Sequence, residues 1–91
     1  MSRMQEQIGK QSPHTFVGID VGKDKLDIFI HPTGIKLETK NEKKAINALI
    51  KKLDKYDVQL VTLEATSKYH RLAHIMLHDA GIHVSVVKTS D

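Results

Sequence analysis

The 91-residue sequence contains no cysteine, which excludes a disulfide framework, a thiolate metal site and a cysteine nucleophile. Long apolar runs are missing as well. No stretch approaches the roughly 20 residues that span a bilayer, and the N-terminus lacks the apolar core of a signal peptide. Because the lack of cysteine is also compatible with a reducing compartment, we expect a cytoplasmic protein.

Positive charge is in only mild excess, with 14 Lys and Arg against 11 Asp and Glu, a net charge of +3 and a pI near 9.2. This balance permits nucleic-acid binding but does not establish it. Hydrophobic residues make up 40% of the chain and charged residues 27%, as in ordinary soluble globular proteins. A chain of this length can bury one core, so we expect a single small domain.

The sequence divides into an arm and a domain. Residues Met1–His14 show no hydrophobic periodicity and contain Gly9 and Pro13, which predicts a flexible N-terminal arm. The domain would occupy residues 15–91. It starts with the apolar run Phe16–Val21, which predicts a first strand buried on both faces.

Two antiparallel strands and a helix are predicted next. Apolar and polar residues alternate over residues 26–30, turn residues follow at 31–34, and Ile35–Glu38 alternates again. A helix would begin at Glu42, with Asn41 as its N-cap. The apolar face predicted for this helix consists of Ala45, Ile46, Leu49, Ile50 and Leu53.

A second helix is predicted from Tyr69 to Ala80. Thr66 or Ser67 would cap its start, and Gly81 would end it. Its predicted apolar stripe consists of Tyr69, Leu72, Ala73, Met76 and Ala80.

Two further strands complete the predicted order. Val58–Leu63 is apolar and β-branched, and it places Glu64 at its C-terminal end. Ile82–Val87 is the fifth strand. The order β-β-β-α-β-α-β predicts an α/β fold with a ribonuclease-H-like mixed five-stranded sheet, in which the first and fourth strands are neighbours.

Asp20 is an acidic residue within an apolar strand, so it needs a partner or a cation. Three explanations are open: a bound divalent cation, an ion pair with Lys23, or a turn role over residues 21–23. Glu64 could likewise accept bonds from backbone N–H groups near Ser67. Together, two carboxylates at the ends of adjacent strands could share Mg²⁺ or Mn²⁺.

Gly18 and Gly22 flank Asp20. Their missing side chains could let a phosphate or a metal approach the backbone closely, or could merely permit strand packing and a tight turn. The pattern Gly-x-Asp-x-Gly also occurs in the first phosphate loop of actin-like and sugar-kinase ATPases.

Two segments carry a family resemblance: residues 16–27, FVGIDVGKDKLD, and residues 63–69, LEATSKY. Taken together they resemble the N-terminal region of the DEDD transposases of bacterial insertion sequences, the Piv and MooV group with a RuvC-like catalytic domain. The similarity extends from Thr15 to about Val87. Ser67 stands where the family usually has Gly, and Lys88 where it has Asn.

The resemblance implies that Asp20 and Glu64 are catalytic, metal-binding residues. In the family four acidic residues hold divalent metal for cutting and rejoining DNA, and these two match the first pair. The second pair, an Asp-x-x-Asp on a helix beyond the fifth strand, has no match, since Asp91 comes too early after that strand. The C-terminal catalytic helix is therefore missing, as is the family's separate domain with a serine nucleophile. The implied partners are DNA, at element ends and target, and a structured guide RNA.

Other polar features have simpler interpretations. His70, His74 and His78 are spaced for a row along one helix face, away from the apolar stripe, which predicts solvated side chains or alternatively a zinc site. Ile75 points the same way and could mark a contact in a homo-oligomer.

Two acidic residues near the first hairpin, Asp24 and Asp27, are expected to form ion pairs with Lys23 or Lys25.

Three functional hypotheses are left open by the sequence. The chain could be the N-terminal part of a transposase catalytic domain, inactive as an isolated polypeptide because half of the acidic quartet is absent. It could be a non-catalytic fragment that binds DNA or dimerises. It could also be an actin-like ATPase or resolvase relative with the same fold.

Overall fold

The computed structural model describes residues 14–65 and 67–88 of the chain. Thr66, Asp91 and the expected N-terminal arm over residues 1–14 lie outside these ranges, except that His14, the last residue of that arm, is the first residue of the first strand. Within them, no helix is both long and apolar enough to cross a membrane. The elements are β1 His14–Val21, β2 Lys25–His31, β3 Ile35–Lys40, α1 Lys43–Leu53, β4 Asp57–Ala65, a 3₁₀ turn Lys68–His70, α2 Arg71–Asp79 and β5 Val84–Lys88.

The five strands form one mixed sheet in the order β3-β2-β1-β4-β5. β1 pairs antiparallel with β2 and parallel with β4, while β3 extends the antiparallel side and β5 the parallel side. The predicted α/β class and element order are confirmed, and the sheet is compatible with a ribonuclease-H-like fold. β1 and β4 are neighbours, as the topology required.

The core lies on one face of the sheet only. Val17, Ile19 and Val21 of β1 are buried, whereas Phe16 and Asp20, which lie at alternate positions of the strand, are exposed. The prediction that the first strand is buried on both faces is therefore wrong. Both crossover connections, β3-α1-β4 and β4-α2-β5, move across the sheet in the same direction. Because such connections are right-handed, both helices lie on the same face of the sheet.

Helix α1 packs through the predicted apolar face, with Ile46, Leu49 and Leu53 buried. Its start differs from the prediction, because the N-cap position is Glu42 and no side chain caps it. The Asn41 side chain instead bridges two other segments. Its Nδ2 donates to Gly22 O at 2.9 Å and to Tyr69 O at 3.1 Å, so Asn41 ties the turn after β1 to the turn after β4.

Helix α2 begins at Arg71, two residues later than predicted, because a 3₁₀ turn precedes it. Ser67 Oγ accepts from Tyr69 N at 3.5 Å and so caps that turn. The buried residues of α2 are Ala73 and Leu77, and Leu77 was absent from the predicted stripe. The predicted stop is confirmed, since Gly81 follows α2 with a φ of 85°.

Candidate functional site

The two predicted metal-binding residues lie side by side. Asp20 in β1 and Glu64 in β4 are direct register partners on adjacent parallel strands, whose backbones are about 4.8 Å apart. Both side chains are exposed on the sheet face opposite the helices, and both line one concavity of about 780 Å³. Strand pairing therefore brings together two carboxylates that are 44 positions apart in the sequence.

The surroundings of Asp20 differ from the apolar environment expected from the sequence. Its carboxylate is in contact with solvent because no helix covers this face. Within residues 14–65 and 67–88, neither Asp20 nor Glu64 forms an ion pair or a side-chain hydrogen bond, so neither Lys23 nor the turn near Ser67 neutralises them. Both carboxylates are thus free to accept a cation.

Two more acidic residues extend this pair into a row across the sheet. Asp27 is the register partner of Asp20 on β2, and Glu38 is the partner of Asp27 on β3. We call Glu38, Asp27, Asp20 and Glu64 the acidic row. Like charges placed directly opposite each other destabilise a sheet, so the row costs stability unless a cation offsets it.

Sequence reasoning missed the acidic row because it expected Asp27 to pair with Lys23 or Lys25. No such ion pair forms in the described part of the chain. Lys25 Nζ instead lies 3.6 Å from Glu38. Only the register of the two hairpins shows that Asp27 and Glu38 share a line with Asp20, and a register is weakly specified by the sequence alone.

Carboxylate oxygens are the ligands that Mg²⁺ and Mn²⁺ prefer. Asp20 and Glu64 fit such an ion as two of its ligands, since their side chains are adjacent, accessible and without a competing partner. Among the described residues, however, no three His, Asp or Glu side chains converge around one point. The site as described therefore offers part of a metal coordination shell.

The structure explains why a glycine stands at only one of the two positions that flank Asp20. A Cβ on Gly22 would meet Lys25 O at 3.2 Å, and Gly22 N donates to the same oxygen at 2.9 Å, so this glycine serves a tight turn. A Cβ on Gly18 would meet nothing within 4 Å, and the Gly18 backbone does not have a positive φ. No contact in the described structure requires a glycine at position 18.

Aromatic and basic side chains lie next to the acidic row on the open face. Phe29 is the register partner of Gly18, and His31 is that of Phe16, which is 49% exposed. The rings of Phe29 and His31 meet edge to face with centroids 4.2 Å apart, and Lys36 Nζ lies 5.8 Å from the Phe29 centroid. We call Phe16, Phe29, His31 and Lys36 the aromatic patch. It was not predicted, because it too depends on the hairpin register.

The expected row of solvated histidines is wrong for His70. This residue is only 9% exposed, and its Nδ1 lies 2.9 Å from Ser67 O. It belongs to the 3₁₀ turn rather than to α2, which shifts its side chain inward. His74 stacks against it with ring centroids 6.5 Å apart, while His78 is exposed. The alternative zinc site finds no support, since no three-ligand group occurs in the described ranges.

Comparison with known proteins gives a family match over most of the chain. The family model of the IS110-type DEDD transposases, described as "Transposase", matches residues 17–90. No curated protein matches the chain. Among solved structures, the Ppx/GppA family member of Aquifex aeolicus superposes with a TM-score of 0.43 and 16% identity, over 82% of this chain and 35% of that protein. The chain thus spans about a third of that structure's length.

Proposed function

Because the chain belongs to the IS110-type DEDD transposases, we propose that it forms the N-terminal part of a catalytic domain that cuts and rejoins DNA. Asp20 and Glu64 would bind Mg²⁺ or Mn²⁺ as the first two members of an acidic quartet. DNA is the partner that a transposase family suggests. A structured guide RNA belongs to the same proposal and rests on the family resemblance. Self-association belongs to it as well, and its support is the exposed side chain of Ile75 on α2.

The observation that carries this proposal is the direct pairing of Asp20 with Glu64 on adjacent strands. The neighbouring residues Ile19 and Leu63 also pair, and both are buried in the core. Since residues along a strand alternate between faces, burying Ile19 and Leu63 forces Asp20 and Glu64 onto the open face together. The core thereby sets the positions of these two carboxylates, which supports the proposal.

A divalent cation bound there would neutralise negative charge that develops on a phosphate during strand transfer. The chain's own contribution is to hold and orient that cation through two carboxylates on a rigid sheet. Asn41 helps to hold the C-terminal ends of β1 and β4 together near the two carboxylates, because its side chain hydrogen-bonds to the turn after β1 and to the turn after β4.

Metal titration tests the assignment. We expect Mn²⁺ to broaden backbone amide NMR signals around Asp20 and Glu64 first, and Asp20→Asn or Glu64→Gln to weaken Mn²⁺ binding by about ten-fold, equivalent to roughly 1.4 kcal/mol. Asp79→Asn is the matched control, since Asp79 is an exposed carboxylate at the end of α2. Asp27→Asn and Glu38→Gln should weaken Mn²⁺ binding less than Asp20→Asn and Glu64→Gln do. Equal losses would mean that Mn²⁺ is attracted by the total negative charge of the acidic row, and that Asp20 and Glu64 do not form a specific metal site.

The isolated chain is expected to show little or no DNA cleavage. Two carboxylates offer too few ligands to position metal for phosphodiester chemistry at both the attacking and the leaving oxygen. The assay would incubate the 91-residue chain with labelled DNA carrying the element ends, in Mg²⁺ or Mn²⁺. Robust cleavage that disappears in Asp20→Asn would show that Asp20 and Glu64 suffice for DNA cleavage. The expectation of an inactive isolated chain would then be wrong.

A further inference from the structure

We propose that β3 is the contact between two copies of this chain, which pair their β3 strands antiparallel and so join two five-stranded sheets into one. β3 is an edge of the sheet, since within residues 14–65 and 67–88 it pairs with β2 alone. The inference rests on the proposed function only in that it gives the self-association named there a surface. That surface leaves Asp20 and Glu64 uncovered.

The free edge of β3 carries backbone groups that need hydrogen-bond partners. Asn41 N donates to Asp24 O at 3.0 Å, which continues the register of the ladder between β2 and β3. Because the backbone groups of an antiparallel strand point alternately to its two sides, Lys36, Glu38 and Lys40 direct theirs away from β2. Such an edge is a template for a further strand.

The charges of β3 are complementary to a second copy of β3. Antiparallel pairing centred on Leu37 places Lys36 of each copy opposite Glu38 of the other, on the open face of the sheet. Both residues direct their backbone groups to the free edge, so each pair exchanges N–H···O bonds in both directions. Pairing centred one residue later would place Glu38 opposite Glu38 and Lys36 opposite Lys40. Repulsion between like charges disfavours that register, so charge selects the one centred on Leu37.

The residues on the other face of β3 gain apolar contacts in the same register. Leu37 of one copy lies against Leu37 of the other, and Ile35 lies opposite Thr39. Ile35 is 39% exposed in the single chain, and Leu37 is half-buried against the core. The contact therefore removes apolar surface from water and continues the core across the joined edge, which favours association.

A second β3 fits this edge better than β5, the opposite edge of the sheet, does. The only charged residue of β5 is Lys88 at its end, so β5 offers no charges complementary to Lys36 and Glu38. Pairing of β3 with β5 of another copy is also head-to-tail, which leaves a free β3 and a free β5 on every assembly and leads to an open filament. Pairing of β3 with itself closes at two copies, because it uses the same edge of each.

The joined sheet sets the distance between two copies of the candidate metal site. The strand order becomes β5-β4-β1-β2-β3-β3-β2-β1-β4-β5, in which five strand spacings, about 24 Å, separate one β1 from the other. The twofold axis at Leu37 is perpendicular to the sheet, so both pairs of Asp20 and Glu64 lie on the same side of it. One dimer thus carries two metal-binding pairs on a continuous sheet.

Analytical ultracentrifugation of the full chain tests the charge pairing. We expect the mass to rise with concentration from 10.3 kDa toward twice that value. Lys36→Glu and Glu38→Lys should each weaken dimerisation by about ten-fold, because each replaces attraction with repulsion at both symmetry-related pairs. The double variant Lys36→Glu/Glu38→Lys should restore wild-type dimerisation. Lys51→Glu is the charge-matched control, since Lys51 is exposed on α1 and should leave dimerisation unchanged.

A cysteine cross-link tests the position of the twofold axis. The chain contains no cysteine, and in the proposed register Leu37 is the strand residue that faces its own copy. Opposed residues of a pair without mutual hydrogen bonds have Cα atoms about 4.5 Å apart, which a disulfide can span. Leu37→Cys should therefore form a covalent dimer under mild oxidation. Glu38→Cys should not, because Glu38 faces Lys36 of the other copy.

Several outcomes would overturn the proposal. They are a wild-type chain that stays monomeric at millimolar concentration, masses that grow beyond the dimer, a double variant that does not restore dimerisation, and equal cross-linking of Glu38→Cys and Leu37→Cys. Loss of the dimer in Ile75→Ala, with the β3 variants unaffected, would place the contact on α2 instead. Failure here is distinguishable from failure of the metal site, because Mn²⁺ binding is measurable in the monomer. A monomer that binds Mn²⁺ at Asp20 and Glu64 would lose only this inference.

Discussion

Replacing Leu63 with alanine is expected to lower the free energy of unfolding by about 2–5 kcal/mol, the usual range for a buried leucine. Leu63 is 0% exposed and belongs to the core between the sheet and the two helices. It pairs with Ile19 on one side and with Val86 on the other. Since small domains are stable by only about 5–15 kcal/mol, this loss would be a large share of the total.

Leu60→Ala is the control for this prediction. Leu60 lies three positions earlier in the same strand, so its side chain points to the opposite face, where it is half-buried. We expect it to cost less than about 1 kcal/mol, because no helix covers that face. Urea denaturation followed by circular dichroism would measure both. Equal losses for the two variants would mean that the open face is packed in solution, contrary to the one-sided core.

The second large effect is on stability. Replacing glycine with valine is expected to destabilise the fold at position 81 and to stabilise it at position 18. Gly81 has a φ of 85°, a region where a side chain costs about 1–2 kcal/mol and a β-branched residue is especially disfavoured. Its N–H donates to His78 O at 2.9 Å and so closes the last turn of α2. Gly81→Val should therefore destabilise the fold by at least that amount.

Gly18→Val should instead stabilise the fold, by about 0.5–1 kcal/mol, because valine favours a strand and glycine weakens one. The side chain would meet open space. Thermal unfolding would show the contrast, as each 1 kcal/mol shifts the midpoint by about 4–8 °C in a domain of this size. A midpoint that falls in Gly18→Val would reveal a contact at position 18 that the structure does not show.

Much of the fold could be predicted from hydrophobic periodicity. The alternation in β2 predicted the burial of Leu26, Ile28 and Ile30, and all three are in the core. The spacing in α1 predicted the face that includes Ile46 and Leu49. These predictions succeeded because the side-chain period of an element is a local property, which a short window of sequence contains.

Polar residues at the ends of elements were predicted less well, because their partners lie far away in sequence. Asn41 was expected to cap α1, but its amide donates to Gly22 and Tyr69, 19 and 28 residues distant. His70 was expected in solvent, and the 3₁₀ turn buries it. A side chain that can satisfy its hydrogen bonds in several ways is placed by whichever partner the fold brings near.

The sequence by itself determined the element order, the family resemblance and the two carboxylates that the resemblance singles out. It also determined that Asp20 lies within one apolar strand and that Glu64 follows another. The predicted topology makes these two strands neighbours. Only the tertiary structure decided that one face of the sheet is open, because that depends on both crossovers having the same hand and direction. The same holds for the acidic row and the aromatic patch. Each is assembled by strand register, and register arises from contacts between segments that no local pattern contains.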